Sequence, residues 1–300
     1  MSQEILVIGG TRYFGIRLVE ALLAAGERVT IATRGRTPDA FGGRVRRITV
    51  DRGDATAMHA AFRALRFDVV YDQMCYGPDE AMLAARLFAG RVGRYLMTST
   101  LEVYDALQGR LVHAYGEDDL DPALAVAEPP TAYGEGKRRA EAVLLAAADL
   151  PVATLRLAHV LGGPEDFTGR LRGYVERVIR DQPLQHAATP GATSFIDVPG
   201  VVDLLAWAGR QDFLGPLNVA SRGTLTAPQL HTRIGARLGR EALLEPAEGA
   251  VASPFDYASP HAMRTGRATA LGWTFGHVDD WLDGLIDAHA AALAGEAVGA

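Results

Sequence analysis

An apolar segment of strand character, Glu4 to Ile8, runs straight into Gly9-Gly10-Thr11-Arg12-Tyr13-Phe14-Gly15 and on into the helix-period stretch Phe14 to Ala25. Glycines placed between a strand and a helix let backbone amides approach a pyrophosphate at the helix N-terminus, which is how dinucleotide-binding α/β units open. An ordinary tight turn has the same spacing; the strand before and the helix after favour the phosphate reading. On that reading Gly9, Thr11, Tyr13, Phe14 and Gly15 are cofactor-binding candidates. Arg12 sits where a middle glycine is usual, so its guanidinium either obstructs the phosphates or binds one of them.

The alternation of strand and helix continues through the first half. Strands are expected at Arg28 to Thr33, Arg46 to Val50, Asp68 to Gln73, Arg94 to Thr98 and Val152 to Leu157, with helices at Ala55 to Leu65, Glu80 to Ala89 and Ala132 to Ala148. This predicts an α/β chain with a doubly wound parallel sheet, its crossover helices covering both faces. After Gly162 the rhythm changes to scattered Gly, Pro and Arg, and Pro216 to Ala220 reads as a strand returning to the main sheet. The expected organisation is a dinucleotide-binding domain over residues 1–161, joined again by 192–220, and a smaller interleaved substrate lobe from 162–191 and 221–300. Ligands would then lie between the lobes, at the carboxyl ends of the strands.

With 300 residues, 48% of them hydrophobic and 22% charged, the chain can bury a large core, which excludes disordered, collagenous and disulfide-stapled classes. A net charge of -6 works against nucleic acid and anionic membrane, so neither is an expected partner. Cys75 is the single cysteine, and with eight scattered histidines it gives no structural zinc spacing, so no metal is expected. No run approaches the roughly 20 apolar residues of a membrane span, and no charged-then-apolar leader precedes the first strand; a cytoplasmic protein is expected.

The end of the second strand often carries an acid that bonds the ribose hydroxyls in such folds. Here the residues are Thr33, Arg34, Gly35 and Arg36. With no carboxylate there and Arg34 in reach, the electrostatics lean toward NADP over NAD, a solvated surface arginine being the competing account. Asp51 and Arg52, ending the third strand, are placed at the adenine edge.

Tyr133-Gly-Glu-Gly-Lys137 opens a helix, and a spacing of four puts phenol and ammonium on one face. A free tyrosine has a pKa of about 10, so acid or base work near neutrality needs an adjacent cation to stabilise the phenolate. The pair follows a strand ending Thr98-Ser99-Thr100, whose hydroxyls would face the cleft.

In this order the features resemble the short-chain dehydrogenase/reductase superfamily, with its Rossmann-type fold, and specifically its extended, NAD-dependent epimerase/dehydratase branch. The segment Leu155 to Pro164, Phe195-Ile196-Asp197-Val198 with Val201 and Val202, Leu217-Asn218-Val219 and Leu271-Gly272-Trp273 resemble that branch too, so the likeness covers most of the chain. It implies Tyr133 as general acid/base, Lys137 holding the nicotinamide ribose and depressing the tyrosine pKa, Thr100 bonding the reacting oxygen, and Met74 beside the nicotinamide ribose. Ser99 to Tyr104 is similar to the hydroxyl-x-glutamate-Val-Tyr segment of sugar dehydratases and nucleotide-sugar decarboxylases, which makes Glu102 a catalytic or substrate-binding candidate. Leu101 stands where one dehydratase subfamily has an aspartate that protonates the leaving hydroxyl, which counts against that chemistry here. His159 occupies the place of a substrate-contacting asparagine, and Arg170 and Arg222 are candidate contacts to a diphosphate.

The implied activity is hydride transfer on a nucleotide-sugar or sugar-like substrate, in a homodimer. Two other readings stay open. Net NADPH-dependent reduction of a ketone is favoured by Arg12 and Arg34. A non-catalytic cofactor- or RNA-binding scaffold has support from the Gly-Gly-Thr-Arg turn, which also resembles that of a chloroplast RNA-binding branch.

Overall fold

A computed structural model describes residues 2–124, 131–247 and 253–299. In chain order the first half forms β1 (Glu4–Ile8), α1 (Phe14–Ala24), β2 (Arg28–Thr33), β3 (Arg46–Thr49), α2 (Ala55–Phe62), β4 (Phe67–Asp72), α3 (Pro78–Phe88), β5 (Val92–Thr100), α4 (Ala132–Leu145) and β6 (Val152–Leu157). The second half continues with β7 (His159–Leu161), α5 (Arg170–Ile179), β8 (Leu184–Ala187), β9 (Thr193–Asp197), α6 (Val198–Ala208), β10 (Gly215–Val219), β11 (Thr224–Leu225), α7 (Ala227–Leu238), β12 (Leu244–Ala247), α8 (Gly266–Ala270) and α9 (Val278–Gly299).

Seven strands build one parallel sheet in the order β10-β6-β5-β4-β1-β2-β3. The central strands are apolar on both sides, and alternate residues feed different cores. From β1, Ile5 and Val7 join the layer under α1 and α6, while Leu6 and Ile8 join the layer under α2, α3 and α4. The strand order reverses between β1 and β4, and a crevice at that reversal, on the carboxyl side, is where such a sheet takes its ligand.

The expected strands all form. β5 extends beyond the expected end at Thr98 and carries Ser99 and Thr100 as sheet residues paired with Arg156 and Leu157. Of the returning segment, β10 lies beside β6 in the main sheet, whereas β9 pairs with β7 and β11 in a separate three-stranded sheet. The chain leaves the main sheet at Ala158, whose amide donates to Val219 O, so that His159 already belongs to the small sheet. The acidic stretch between Thr100 and α4 is partly interior. Glu117 is buried and accepts the Asn218 amide at 2.8 Å, because a backbone donor inside the protein needs an acceptor. Residues 125–130 of that stretch lie outside the described residues.

The smaller core gathers α5, α7 and α9 around Tyr174, Phe195 and Phe255. Within it His231 is fully buried and, among the described residues, neither ring nitrogen closes a hydrogen bond of good geometry, the Leu243 backbone being only a weak partner. Burial and Arg177 push its pKa down, with the Leu243 backbone pulling weakly the other way. Below the ordinary histidine pKa of about 6.5 the unfolded chain takes up a proton that the folded chain refuses, so stability falls as pH falls through that value. His231→Leu is therefore expected to stabilise by about 1 kcal/mol at pH 7 and by more at pH 5, read from urea unfolding at both. An equal gain at the two pH values would contradict this account.

Candidate active site

The glycine turn after β1 has left-handed backbone at Gly9 (φ 105°) and Gly10 (φ 87°), and Tyr13 follows at φ 52°. A Cβ on Gly15 would fall 2.5 Å from Gln73 Oε1 and 3.0 Å from Gly10 Cα, so the helix meets the turn as closely as backbone allows. No side chain caps α1 and no acid occupies its first turn. This bare, positively polarised end, cradled by glycines, suits the pyrophosphate of a dinucleotide. The Tyr13 phenol donates toward Val160 O at 2.9 Å and Asp166 Oδ2 at 3.0 Å, which clasps the turn to β7 and to the loop before α5. Burial and the Asp166 carboxylate push that phenol's pKa up.

Around the turn, Thr11 is half-buried and Arg12 exposed; Arg34 and Asp51 are exposed at the ends of β2 and β3. Met74 lies against the turn, its Cγ 3.2 Å from where a Cβ on Gly9 would project. Arg52 points inward, contrary to the expected adenine contact. Its NH2 donates to Asp72 Oδ2 at 2.6 Å and to Glu80 O at 3.0 Å, because the buried Asp72 carboxylate requires a cation. Cys75 is fully buried and burial raises its thiol to about 12, so it packs as an apolar residue.

At the far end of the crevice Thr100 closes β5 and caps a 3-10 turn over Leu101–Leu107, accepting the Glu102 amide at 3.3 Å. Thr131 caps α4 by accepting the Gly134 amide at 3.0 Å, which sets Tyr133 in the first helical turn and Lys137 one turn on. The two glycines between them have a steric cause. A Cβ on Gly134 would lie 2.3 Å from Glu102 O, and one on Gly136 2.5 Å from Tyr76 O, so they let α4 press against both segments.

Lys137 is 2% exposed; its Nζ donates to Thr98 O at 2.8 Å and lies 4.4 Å from the centre of the Tyr76 ring. Burial pushes its pKa down. Burial also raises the Tyr133 phenol to about 12, the Thr100 hydroxyl drawing it part of the way back. The expected depression of this tyrosine is thus absent in the protein alone, where the ammonium is turned to a carbonyl and an aromatic face. Lys137 is also the only lysine among the chain's 30 Lys and Arg residues.

The opposite wall carries Glu102, flanked by His159 (Nδ1 to Oε1, 3.9 Å) and His261 (Nε2 to Oε2, 3.5 Å), with Tyr257 donating to Oε1 at 3.2 Å. Burial acts to raise the Glu102 carboxyl, but the His261 imidazole, with the neighbouring Asp105, outweighs it and holds the pKa at about 2. Burial and the adjacent Glu102 push Asp105 up to about 8. Burial drives His159 down to about 3, so it is neutral and shares a 3.0 Å hydrogen bond with the Tyr257 hydroxyl. Arg170 faces the same space: its NH2 donates to Val160 O at 3.0 Å, and its charge helps to lower the pKa of Tyr133 and of Tyr257. Arg222 does not join them; its Nε donates to Phe275 O at 3.1 Å, fastening the loop before α9.

A family model described as the NAD dependent epimerase/dehydratase family matches residues 5–211. The chain belongs to that family. Its members are enzymes, and the seven-stranded sheet with the glycine turn at β1 is their dinucleotide-binding fold. Among characterised proteins, it is 31% identical over 255 residues to 2'-dehydrokanamycin reductase of Streptomyces kanamyceticus, covering 79% of this chain and 67% of that protein. It is 29% identical over 134 residues to a chloroplast stem-loop binding protein of 41 kDa from Arabidopsis thaliana; that match covers 40% of this chain and 35% of the relative. Among solved structures, the UDP-glucose 4-epimerase of Thermus thermophilus, complexed with NAD, superposes with a TM-score of 0.64 at 20% identity, over 90% of this chain and 93% of that one.

The family helix α4 is anchored by a buried ion pair. Arg156 of β6 and Glu141 of α4 are both fully buried and meet at 2.6 to 3.1 Å; Arg156 also donates to the Tyr104 hydroxyl at 2.8 Å. Tyr104 passes the network on to Asn218 Oδ1 at 2.8 Å in β10. Three residues of the site escaped sequence reasoning: Asp105, Tyr257 and His261. Asp105 follows the quoted Val103-Tyr104 directly, whereas Tyr257 and His261 lie more than 150 residues from Glu102 in the sequence, and no local pattern announces them.

Proposed function

We propose that the protein moves a hydride between a nicotinamide dinucleotide and a carbinol or ketone carbon of a nucleotide-sugar or sugar-like substrate, as epimerases and dehydratases of this family do. The observation that supports this reading is the meeting of the Thr100 hydroxyl and the Tyr133 phenol beyond the carboxyl end of β5, at the same edge of the sheet as the bare glycine turn. An oxygen changing between alcohol and carbonyl needs a proton donor and a second hydrogen bond, which on this reading Tyr133 and Thr100 would give. When bound, the dinucleotide supplies or takes the hydride.

Lys137 would turn from Thr98 toward the ribose and the phenol, lowering the tyrosine pKa into a working range. Gly9, Thr11, Arg12, Tyr13, Phe14 and Gly15 would hold the pyrophosphate, Asp51 the adenine, and Met74 the nicotinamide side. Glu102, His159 and Arg170 would face the substrate. The bound NAD of the Thermus epimerase supports the cofactor class, and its name supports a sugar nucleotide as substrate.

A second reading, net reduction of a ketone with NADPH, is favoured by the reductase relative and by the exposed Arg34 at the place of the ribose-binding acid. One experiment separates the two. Freshly purified protein is denatured and any released dinucleotide identified by mass; the stripped protein is then titrated with NADH and NADPH. Retained NAD indicates a hydride that is returned to the substrate. An empty protein that prefers NADPH, and loses about tenfold of that affinity in Arg34→Ala (about 1.4 kcal/mol), indicates net reduction. Binding of neither dinucleotide would sink both.

A further inference from the structure

Glu102, Asp105 and His261 are brought together from the 3-10 turn after β5 and the loop before α8, and among the described residues they are the three acidic or histidine side chains whose donor atoms all lie within 4.8 Å of one another. The arrangement is built. Each carboxylate has one oxygen already held by a hydroxyl: Tyr257 donates to Glu102 Oε1 at 3.2 Å, and Thr131 donates to Asp105 Oδ2 at 2.7 Å. The other two oxygens, Glu102 Oε2 and Asp105 Oδ1, both face His261 Nε2, at 3.5 and 3.4 Å.

His261 is fully buried, and among the described residues neither ring nitrogen has a hydrogen-bond partner. Its ring is stacked on Tyr257 at 4.4 Å and meets the Tyr115 ring edge-on at 5.5 Å. Its backbone is fixed as well, the amide donating to Ala192 O at 2.9 Å and the carbonyl accepting from Thr193 at 2.7 Å.

We propose that this triad binds a divalent ion of the Mn2+ to Zn2+ series at the substrate edge of the active site. Ligands about 2.0 to 2.2 Å from a common ion are separated by roughly 3.3 to 3.6 Å when they sit at neighbouring corners of a tetrahedron. The separations of both free oxygens from His261 Nε2 fall in that range. An ammonium group would need its acceptors roughly 4.6 Å apart, since each lies about 2.8 Å from the nitrogen, so the two edges that meet at His261 Nε2 are too short for a cationic amine. One imidazole with two carboxylates suits borderline ions better than Mg2+ or Ca2+, which take all-oxygen sets. Orientation of each ligand by an outer hydroxyl is what tuned metal sites have. Glu102 is the least buried of the three, and its charge acts on Tyr133, so a solvent or substrate oxygen entering past Glu102 would complete the shell.

The absence of paired Cys and His spacings in the sequence is compatible with this site, because its histidine lies more than 150 residues from its carboxylates. The inference does not depend on the hydride reading, and its test uses the ion alone. Protein treated with a chelator and dialysed is titrated calorimetrically with MnCl2, ZnCl2, MgCl2 and CaCl2, together with Asp105→Asn, His261→Gln and an Arg222→Ala control. Wild type and the control should bind one Mn2+ or Zn2+ in the micromolar range or tighter, and Asp105→Asn and His261→Gln should each lose at least tenfold. The second measurement needs no variant: pulsed electron paramagnetic resonance of the Mn2+-loaded wild type should display nitrogen coupling from one imidazole. No binding at 1 mM ion, unchanged binding in both variants, or Mn2+ without nitrogen coupling would overturn the proposal and leave the triad as a proton-sharing cluster.

Discussion

Tyr133→Phe is expected to lower turnover by about 100- to 10,000-fold while leaving dinucleotide affinity within about threefold of wild type. The phenol oxygen is the only atom lost. The ring, half exposed and 6.3 Å from the Tyr76 ring, keeps its packing, so folding and the glycine turn are undisturbed. The phenol stands at about 12 in the protein alone, which also gives the reaction a signature in pH. In the alcohol-oxidising direction the working species is the phenolate, so the rate should rise with pH until the phenol is titrated. Lys137 brought next to it would shift that rise downward. Lys137→Met should therefore move the rise upward as well as weaken cofactor binding. A flat pH profile in wild type, or turnover of Tyr133→Phe within threefold, would remove the tyrosine from the chemistry.

The largest effect on stability is expected at Arg156. Arg156→Met leaves Glu141 fully buried without its partner and removes the donor to the Tyr104 oxygen, a loss of roughly 3 to 5 kcal/mol, or a fall in Tm of roughly 6 to 15 °C. The combined Glu141→Leu and Arg156→Met variant should recover most of that, because two apolar residues of similar volume no longer bury an uncompensated charge. Thermal unfolding of the three proteins decides it, and a single variant within about 1 kcal/mol of wild type would mean that water reaches the pair. Since α4 carries Tyr133 and Lys137, the single variant is also expected to lose turnover faster than it loses secondary structure on warming.

Much of this architecture is written locally. The β1 turn, the alternation through β6 and the helix beginning at Ala132 follow from patterns a few residues long, and so the sheet and the positions of Thr100, Tyr133 and Lys137 were legible. Arg52 was misjudged because its neighbour Asp51 does point outward, and only the burial of Asp72 explains why the next side chain turns in. Glu117 is a similar case: its burial follows only from an amide in β10, 101 residues away. Tyr257 and His261 were beyond reach because the small sheet, through the bridges Gly191 to Tyr257 and Thr193 to His261, decides where they lie. One local signal was overlooked. In a chain that uses arginine for every other basic position, a solitary lysine four residues after a tyrosine marks a place where a guanidinium does not serve.

That solitary lysine also gives the folded surface an unusual chemical silence. Amine-directed reagents, and any enzyme that acylates or conjugates lysine, find one side-chain amine in the molecule, and it is sealed beneath Tyr76. The speed at which a succinimidyl ester captures Lys137 thus clocks the parting of α4 from the Tyr76 segment. On the proposed mechanism the same label would silence the helix that carries Tyr133, so modification and inactivation would go together.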